Sequence, residues 1–287
     1  MMKANRQLLD TIESIILGIV QGITEFLPIS SSAHIIVVPW FFGWGEPGLT
    51  FNVAVHMGTL AAVLLYFRSD VLGMALALLR GLYDGHPLQD PMSRMALIIV
   101  AGSIPAGLIG ATLGGQIEEI FHSGSNGSLA LTIIALMLIG VGLLMLLVER
   151  KLPQDREFQT IGWRDGILIG VAQAIALIPG TSRSGSTITT GMILGLRKEV
   201  AARFSFLLGI PAITGAGAVE LARLAERGLS ADERLPFIIG GLSAMIVGYA
   251  SIAFLLRFLR ANSVLVFTIY RCGLGGVMLV LIWGGWL

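Results

Sequence analysis

The sequence predicts an all-α polytopic membrane protein with an inverted-topology repeat. Of its 287 residues, 55% are hydrophobic and 13% are charged, and the mean hydropathy is +0.83. A soluble domain normally carries about a quarter charged residues, so a water-soluble enzyme, a disordered chain and a fibrous protein are excluded. Long apolar stretches and two similar apolar segments with polar centres specify the architecture. We expect a single integral membrane domain over residues 1–287.

The charge balance and the cysteine count exclude further classes. The formal net charge of +1 is too small to indicate a nucleic-acid partner. The single cysteine, Cys272, leaves no internal disulfide and no cysteine-based zinc site. Acidic residues interrupt the basic N-terminus and no cleavage site of small residues follows, so we expect no removable signal peptide.

Six apolar stretches predict transmembrane helices, because a helix needs about 20 apolar residues to cross the hydrocarbon core. Four of them contain no acidic residue, lysine or arginine, and two contain one arginine each, Arg203 and Arg271. The first four are 47–67, 95–117, 129–148 and 237–256, and the other two are 200–221 and 263–283.

Two further apolar segments, 14–40 and 166–196, have polar centres. Irregular backbone at membrane depth is tolerated only when it is buried in protein or lines a wet cavity. Each segment is therefore predicted to form a re-entrant hairpin of two short helices joined by a polar loop. In the second segment the loop is expected to run over 179–187, with the next helix beginning near Thr187.

The two hairpins resemble each other. Residues 15–23 match 167–175 at a constant offset, and a shift of one residue then aligns Ser31 with Ser182. Three spans follow each hairpin, and three is an odd number, so the second repeat must be inverted relative to the first. The predicted repeats are 11–148 and 162–287, with the hairpins meeting near the bilayer midplane, where such folds place their binding site.

The basic residues predict the orientation. The loops on one side, around 68–94, 149–165, 197–198 and 257–260, hold eleven Lys and Arg residues, whereas the loops and terminus on the other side hold five. The positive-inside rule makes the first group cytoplasmic and places both termini outside.

Ionisable residues inside a membrane indicate function by default. Glu25, His34 and Arg183 lie at the predicted hairpin tips. Gln21 shares a helix face with Glu25, and Ser31 shares one with His34 if the second helix begins near Ser30. Ser30 or Ser31 could cap that helix. His56 could equally be a packing histidine, and Arg203 and Arg271 could be paired structural charges.

The second loop has the composition of an anion site. Glycines, hydroxyls and one arginine precede a helix, whose first amides and dipole favour negative charge. The guanidinium of Arg183 offers a bidentate fork that suits phosphate. The loop lacks the Gly-Lys-Ser/Thr of a Walker sequence. The residues concerned are Ser182, Arg183, Ser184, Gly185, Ser186 and Thr187.

At these positions the sequence resembles the bacterial undecaprenyl-diphosphate phosphatase family, which is also known for bacitracin resistance. Residues 21–34, QGITEFLPISSSAH, resemble its first signature, and residues 179–187, PGTSRSGST, resemble its second. Gln21 stands where many members have glutamate, which leaves Glu25 as the one certain carboxylate for a metal.

The resemblance implies hydrolysis of undecaprenyl diphosphate in the bacterial inner membrane, which recycles the lipid carrier for peptidoglycan synthesis. It also implies a divalent cation, Mg²⁺ or Ca²⁺, a pocket that opens outward, and a homodimer. We assign Ser31 as the nucleophile, His34 as its base, and Glu25 as the metal or proton-handling residue with support from Gln21. Ser30, Arg183 and residues 182–187 would bind the diphosphate.

The alternative is a transporter of the lipid phosphate, because inverted repeats with broken helices are also transporter architecture. The pair of Ser31 and His34 favours hydrolysis, since transport requires no activated nucleophile. Attack by His34 itself or by water is a further alternative, as is a combined enzyme and flippase.

Overall fold

The computed structural model describes residues 2–45, 47–122 and 127–285, and within these ranges the chain is all-helical. The loops that the basic residues predict to be extracytoplasmic are 118–128 and 222–236, and residue 124 in the first of them lies outside the described residues. The helices are α1 Met2–Thr24, α2 Ser31–Phe42, α3 Leu49–Tyr66, α4 Arg68–Tyr83, α5 Pro91–His122, α6 Gly127–Lys151, α7 Trp163–Ile175, α8 Arg183–Ile193, α9 Lys198–Arg227, α10 Ala231–Ala261 and α11 Leu265–Trp283. One 3₁₀ turn, Phe158–Thr160, precedes α7.

The six predicted transmembrane helices are confirmed. Among the described residues, α3, α5, α6, α9, α10 and α11 are long and apolar enough to cross a membrane. The region around 68–94, expected to be a loop, instead contains α4. Leu72, Leu76 and Leu79 repeat at helical spacing along α4 and are exposed, while Met74 packs into the core.

Two helix pairs are interrupted where the sequence predicts. The first interrupted segment is α1 and α2 with the first loop, 25–30, between them, and the second is α7 and α8 with the second loop, 176–182. The expectation that the later helix begins near Thr187 is wrong, because α8 begins at Arg183. Ser182 caps this earlier start by accepting a hydrogen bond from the amide of Gly185 at 3.1 Å.

Close helix crossings hold each interrupted segment against a long helix from the other half of the chain. Helix α1 packs on α10, and α7 packs on α5. A Cβ on Gly18 would lie 2.6 Å from the carbonyl oxygen of Gly240, and one on Gly170 would lie 2.8 Å from the carbonyl carbon of Gly102. Only glycine permits such close approach of the backbones, a packing mode common between membrane helices.

The main hydrophobic core lies beside the first loop. Phe26 is fully buried in it, and its ring meets that of Phe206 edge-on with the ring centroids 5.4 Å apart. Phe206 belongs to α9, the helix that also packs against α8. The core therefore fixes the first loop relative to the start of α8.

Candidate active site

Two serines with unusual backbone conformation end the two loops. Ser30 has a φ of 75° and Ser182 a φ of 70°, and in the described part of the chain they are the only residues other than glycine with positive φ. Each directly precedes a helix. Such conformations cost about 1–3 kcal/mol each and concentrate at functional sites. The strain marks the starts of α2 and α8 as candidate parts of an active site.

The carboxylate of Glu25 is the centre of a cluster that joins the two loops. Its Oε2 accepts hydrogen bonds from Ser31 Oγ at 2.8 Å and from Gln21 Nε2 at 3.1 Å. Its Oε1 accepts one from Arg183 Nη2 at 3.1 Å. Glu25 is 7% exposed. The ion pair with Arg183 and these hydrogen bonds offset the cost of burying its charge.

Helix α9 forms the surface against which the Arg183 side chain lies. Arg183 Nη1 donates to the carbonyl oxygen of Ser205 at 3.3 Å. A Cβ on Gly209 would lie 2.9 Å from Arg183 Cζ, so a side chain at position 209 would displace the guanidinium. Arg183 Nε is buried and has no hydrogen-bond partner within the described structure. The guanidinium thus retains donor capacity for a ligand.

His34 has other partners than the serine it was expected to activate. Its Nδ1 lies 2.7 Å from the carbonyl oxygen of Ser30, and its Nε2 lies 2.6 Å from the hydroxyl oxygen of Tyr270. Because a carbonyl oxygen can only accept, Nδ1 carries the proton, and in a neutral ring Nε2 accepts from Tyr270. The hydroxyl of Ser31 donates to Glu25 instead. Whether His34 acts as a base stays a prediction, but the geometry favours Glu25 for that role.

The hydroxyls expected to bind the diphosphate make internal hydrogen bonds. Ser184 Oγ donates to the carbonyl oxygen of Leu27 at 3.0 Å, which joins the second interrupted segment to the first loop. Ser186 and Thr187 bond to backbone oxygens of their own helix. The first amides of a helix have no acceptor within it. Those of Arg183 and Ser184 are therefore better placed than the hydroxyls to receive an anion.

The other ionisable residues singled out in the spans separate into distinct environments. Arg203 forms an ion pair with Asp70 at 2.7 Å and lies over the ring of Phe158. His56 Nδ1 lies 2.8 Å from the carbonyl oxygen of Asn52 in its own helix. Arg203 therefore fits the structural alternative, whereas Arg271 is fully buried beside both loops.

Three residues of the site were not anticipated from the sequence. Ser205 and Gly209 support Arg183, and Tyr270 bonds to His34. Ser205 and Gly209 are typical of any membrane helix and carry no sequence signal of their own. Tyr270 is adjacent to Arg271 in the sequence, and the polarity of this pair within an apolar span was the available signal.

Comparisons with known proteins show which family the chain resembles along most of its length. Residues 14–277 match the family model described as Bacitracin resistance protein BacA. A protein of Thermomicrobium roseum named undecaprenyl-diphosphatase is 51% identical over 270 residues, which cover 94% of this chain and 97% of the relative. A protein of Myxococcus xanthus with the same name is 46% identical over 274 residues, covering 96% and 90%, respectively. One of Geobacter sulfurreducens, also so named, is 44% identical over 271 residues, covering 94% and 98%.

Proposed function

The chain belongs to the Bacitracin resistance protein BacA family, and we infer that it hydrolyses undecaprenyl diphosphate to undecaprenyl phosphate and inorganic phosphate. This reaction recycles the lipid carrier for cell-wall synthesis. The observation that carries the assignment is the contact of Ser31 with Glu25 and of Glu25 with Arg183, across the two loops. It unites a nucleophile, a proton acceptor and a phosphate-binding cation in one buried cluster.

Ser31 attacks the terminal phosphorus in this proposal. The Ser31 Oγ–P bond forms, the bond from that phosphorus to the bridging oxygen breaks, and undecaprenyl phosphate leaves with the electron pair. The hydroxyl proton passes to Glu25 Oε2, which lies 2.8 Å from Ser31 Oγ. Water then attacks the phosphorus of the phosphoserine, the Oγ–P bond breaks, and Glu25 returns its proton to Ser31 Oγ. This releases inorganic phosphate and restores both the serine and the carboxylate. A leaving phosphate is stable as an anion and needs no proton from the protein.

Substrate binding activates Glu25 by taking away its partner. Without substrate, the guanidinium of Arg183 pairs with Glu25 Oε1. A diphosphate competes for the same guanidinium and binds it through the bidentate geometry that phosphate favours. Once Arg183 has turned to the phosphate, Glu25 accepts the proton of Ser31 more readily. Arg183 then stabilises the charge that develops on the transferred phosphoryl group.

His34 supports the first loop in this mechanism. Its hydrogen bond to the carbonyl oxygen of Ser30 stabilises the strained residue that directly precedes Ser31. Tyr270 fixes the orientation of the imidazole ring from α11. His34 thus contributes by holding Ser31 in place, and Glu25 performs the proton transfer.

The residues beside Glu25 suit a divalent cation in part. The Oε1 of Gln21 is a buried acceptor with no hydrogen-bond partner among the described residues, next to the carboxylate that Gln21 Nε2 contacts. The described residues contain no cluster of three or more histidine, cysteine, aspartate or glutamate side chains. Mg²⁺ commonly takes one or two protein oxygens and completes its shell with phosphate and water. Gln21 and Glu25 would hold such an ion, which would neutralise phosphate charge.

We further propose the inverted-repeat architecture in full, with 11–148 and 162–287 as repeats and both interrupted segments as re-entrant hairpins. The exchange of partners supports it, since α1 packs on α10 as α7 packs on α5. Ser30 and Ser182 are separated by as many residues as Gln21 and Gln173 and have the same backbone conformation. The structural counterpart of Ser182 is therefore Ser30, where the sequence alignment indicated Ser31.

The orientation belongs to the same proposal. Eleven basic residues on one side against five on the other place both termini outside and the first hairpin open to the outer face. A pocket on that face would receive the diphosphate after the outer steps of cell-wall synthesis have released it. A homodimer in the membrane remains part of the expectation drawn from the family.

Phosphate release by purified protein in detergent tests the function. No gradient exists in detergent, so a transporter would release no phosphate. We expect steady release from undecaprenyl diphosphate, and after rapid acid quenching of enzyme with terminally labelled substrate we expect label on serine. Acid-labile label on histidine would replace Ser31 by His34 as the nucleophile, and absence of phosphate release would favour the transporter.

A further inference from the structure

Arg271 is a fully buried cation that contacts both loops. Its side chain, in the middle of α11, is 0% exposed. All three guanidinium nitrogens donate hydrogen bonds, and every acceptor is a backbone carbonyl oxygen. The acceptors are Leu138 at 2.9 Å from Nε, Pro28 at 3.1 Å from Nη1, and Met137, Gly180 and Thr181, each at 3.1 Å from Nη2.

No carboxylate pairs with this guanidinium among the described residues. Burying a charge without a counter-ion is expensive, and an apolar side chain of similar volume would often be neutral or more favourable for stability. Five carbonyl dipoles offset part of that cost. Stability alone therefore gives no reason for an arginine at this position. The identity of its acceptors indicates a different reason.

The acceptors lie next to the residues of the proposed reaction. Pro28 is in the first loop, three residues before Ser31, and Thr181 is in the second loop, two residues before Arg183. Met137 and Leu138 belong to α6, the long helix against which α11 packs. One planar group thus connects the backbones of both loops to a rigid helix pair.

Two glycines make room for this side chain. A Cβ on Gly142 of α6 would lie 3.2 Å from Arg271 Cβ, and one on Gly185 of α8 would lie 3.1 Å from Arg271 Nη1. Gly185, a glycine of the signature at 179–187, therefore has a specific neighbour. A side chain there would push against the group that links the two loops.

We propose that Arg271 is a positioning residue that sets the separation of the two loops, so that Arg183 reaches Glu25 and Ser31. It acts through these three residues and does not itself contact the substrate. The inference rests on the proposed function for its catalytic consequence, but its structural claim concerns loop separation alone. Besides Arg183 Nη2 to Glu25 Oε1, the described hydrogen bonds directly between the two interrupted segments are Ser184 Oγ to the carbonyl oxygen of Leu27 at 3.0 Å and Gly180 N to Ser32 Oγ at 3.3 Å.

Lysine cannot replace this arginine, because a single ammonium has three donors and no planar fork to reach acceptors on three sides. In Arg271→Lys we expect kcat to fall by about 100-fold, the cost typical of a misplacement of about 1 Å in an active site. The matched control is Thr268→Val on the same helix, which removes a hydrogen bond from Thr268 Oγ1 to the carbonyl oxygen of Gly142 on α6. It weakens the same helix contact without touching either loop, so its kcat should stay within about twofold of the wild type.

The separation of the two loops is then measured independently of diphosphate hydrolysis. Cysteines at positions 27 and 184, in a chain with Cys272→Ser, report the distance between the loops through the rate of oxidative disulfide formation. We expect Arg271→Lys and Arg271→Met each to slow this rate at least fivefold, and Thr268→Val to leave it unchanged. The cross-linking rates of both Arg271 variants are read on protein that elutes as a single detergent-bound species, so a misfolded variant is recognised. If Arg271→Met is misfolded, Arg271→Lys alone decides.

The outcomes distinguish the structural claim about loop separation from its catalytic consequence. Slower cross-linking together with lower kcat supports the positioning role, and slower cross-linking supports it even if Ser31 is not the nucleophile. Wild-type cross-linking in Arg271→Lys would overturn the role, whatever happens to kcat, since the arginine would then act by charge or on stability alone. Wild-type kcat would overturn the catalytic consequence.

Discussion

Substitution of Gly209 by alanine tests the contact between α9 and Arg183. The new Cβ would lie 2.9 Å from Arg183 Cζ and nearer still to Nη1, whereas carbon atoms in contact are separated by about 3.5–4.0 Å. The guanidinium must therefore move by roughly 0.6–1 Å. Its hydrogen bond to Glu25 Oε1, at 3.1 Å, then loses its geometry, and so does any contact with a phosphate.

The expected effect is a loss of activity without a loss of stability. A displacement of about 1 Å at a reacting centre can cost about 100-fold, which at 1.36 kcal/mol per tenfold is about 2.7 kcal/mol in kcat/KM. Alanine is also a better helix former than glycine by about 1 kcal/mol, which favours α9 and offsets part of the steric cost. We therefore expect the thermal midpoint of Gly209→Ala to change little.

Gly215→Ala is the matched control. Gly215 lies on the same helix, and a Cβ there would meet no atom within 4 Å. It gains the same helix propensity without touching Arg183, so kcat/KM for phosphate release should equal that of the wild type. If Gly209→Ala turns over undecaprenyl diphosphate as fast as Gly215→Ala, the position of Arg183 is not set by α9 and the proposed geometry is wrong.

Three further predictions address the chemistry and the topology. Arg183→Lys should lose at least about tenfold in kcat/KM, because an ammonium cannot make the bidentate contact, while Arg203→Lys should stay near the wild type; equal values in a phosphate-release assay would reject the bidentate model. Ser31→Ala and Glu25→Gln should each abolish most turnover, with the double variant little worse than either, and additive losses would contradict a shared proton transfer. A cysteine at position 124, in a chain with Cys272→Ser, should react with an impermeant maleimide in intact spheroplasts, and reaction only after permeabilisation would invert the topology.

The sequence was sufficient for the long helices and for the two interrupted segments. Uninterrupted apolar runs specify α3, α5, α6, α9, α10 and α11, because a single span of about 20 apolar residues satisfies its own backbone in lipid only as a helix. Polar centres inside apolar segments located both loops for the same reason. Glu25 and Arg183 were singled out because charge at such depth is costly, and the structure joins them in one ion pair.

The partners of these residues could not be read from the sequence. Ser31 was paired with His34 because residues three apart share a helix face, but Glu25, in the preceding loop, folds back onto Ser31. The partner of His34 is Tyr270, which lies 236 residues away along the chain. Contacts of this kind depend on which helices cross and at what height. Local periodicity carries no information about either.

Backbone groups that lipid cannot satisfy connect the strained residues Ser30 and Ser182 with the proposed anion site at the start of α8. A loop that interrupts a helix inside the membrane leaves carbonyl oxygens and amides that lipid cannot satisfy. Arg271 donates to the carbonyl oxygens of Pro28, Gly180 and Thr181 and so satisfies part of this backbone. The first amides of α8 have no acceptor within the helix and favour an anion, and Arg271, which contacts the preceding loop, adds a positive charge that no described carboxylate pairs with. In the proposed function a diphosphate supplies acceptors for these amides, so the interruption before α8 would also contribute to substrate binding.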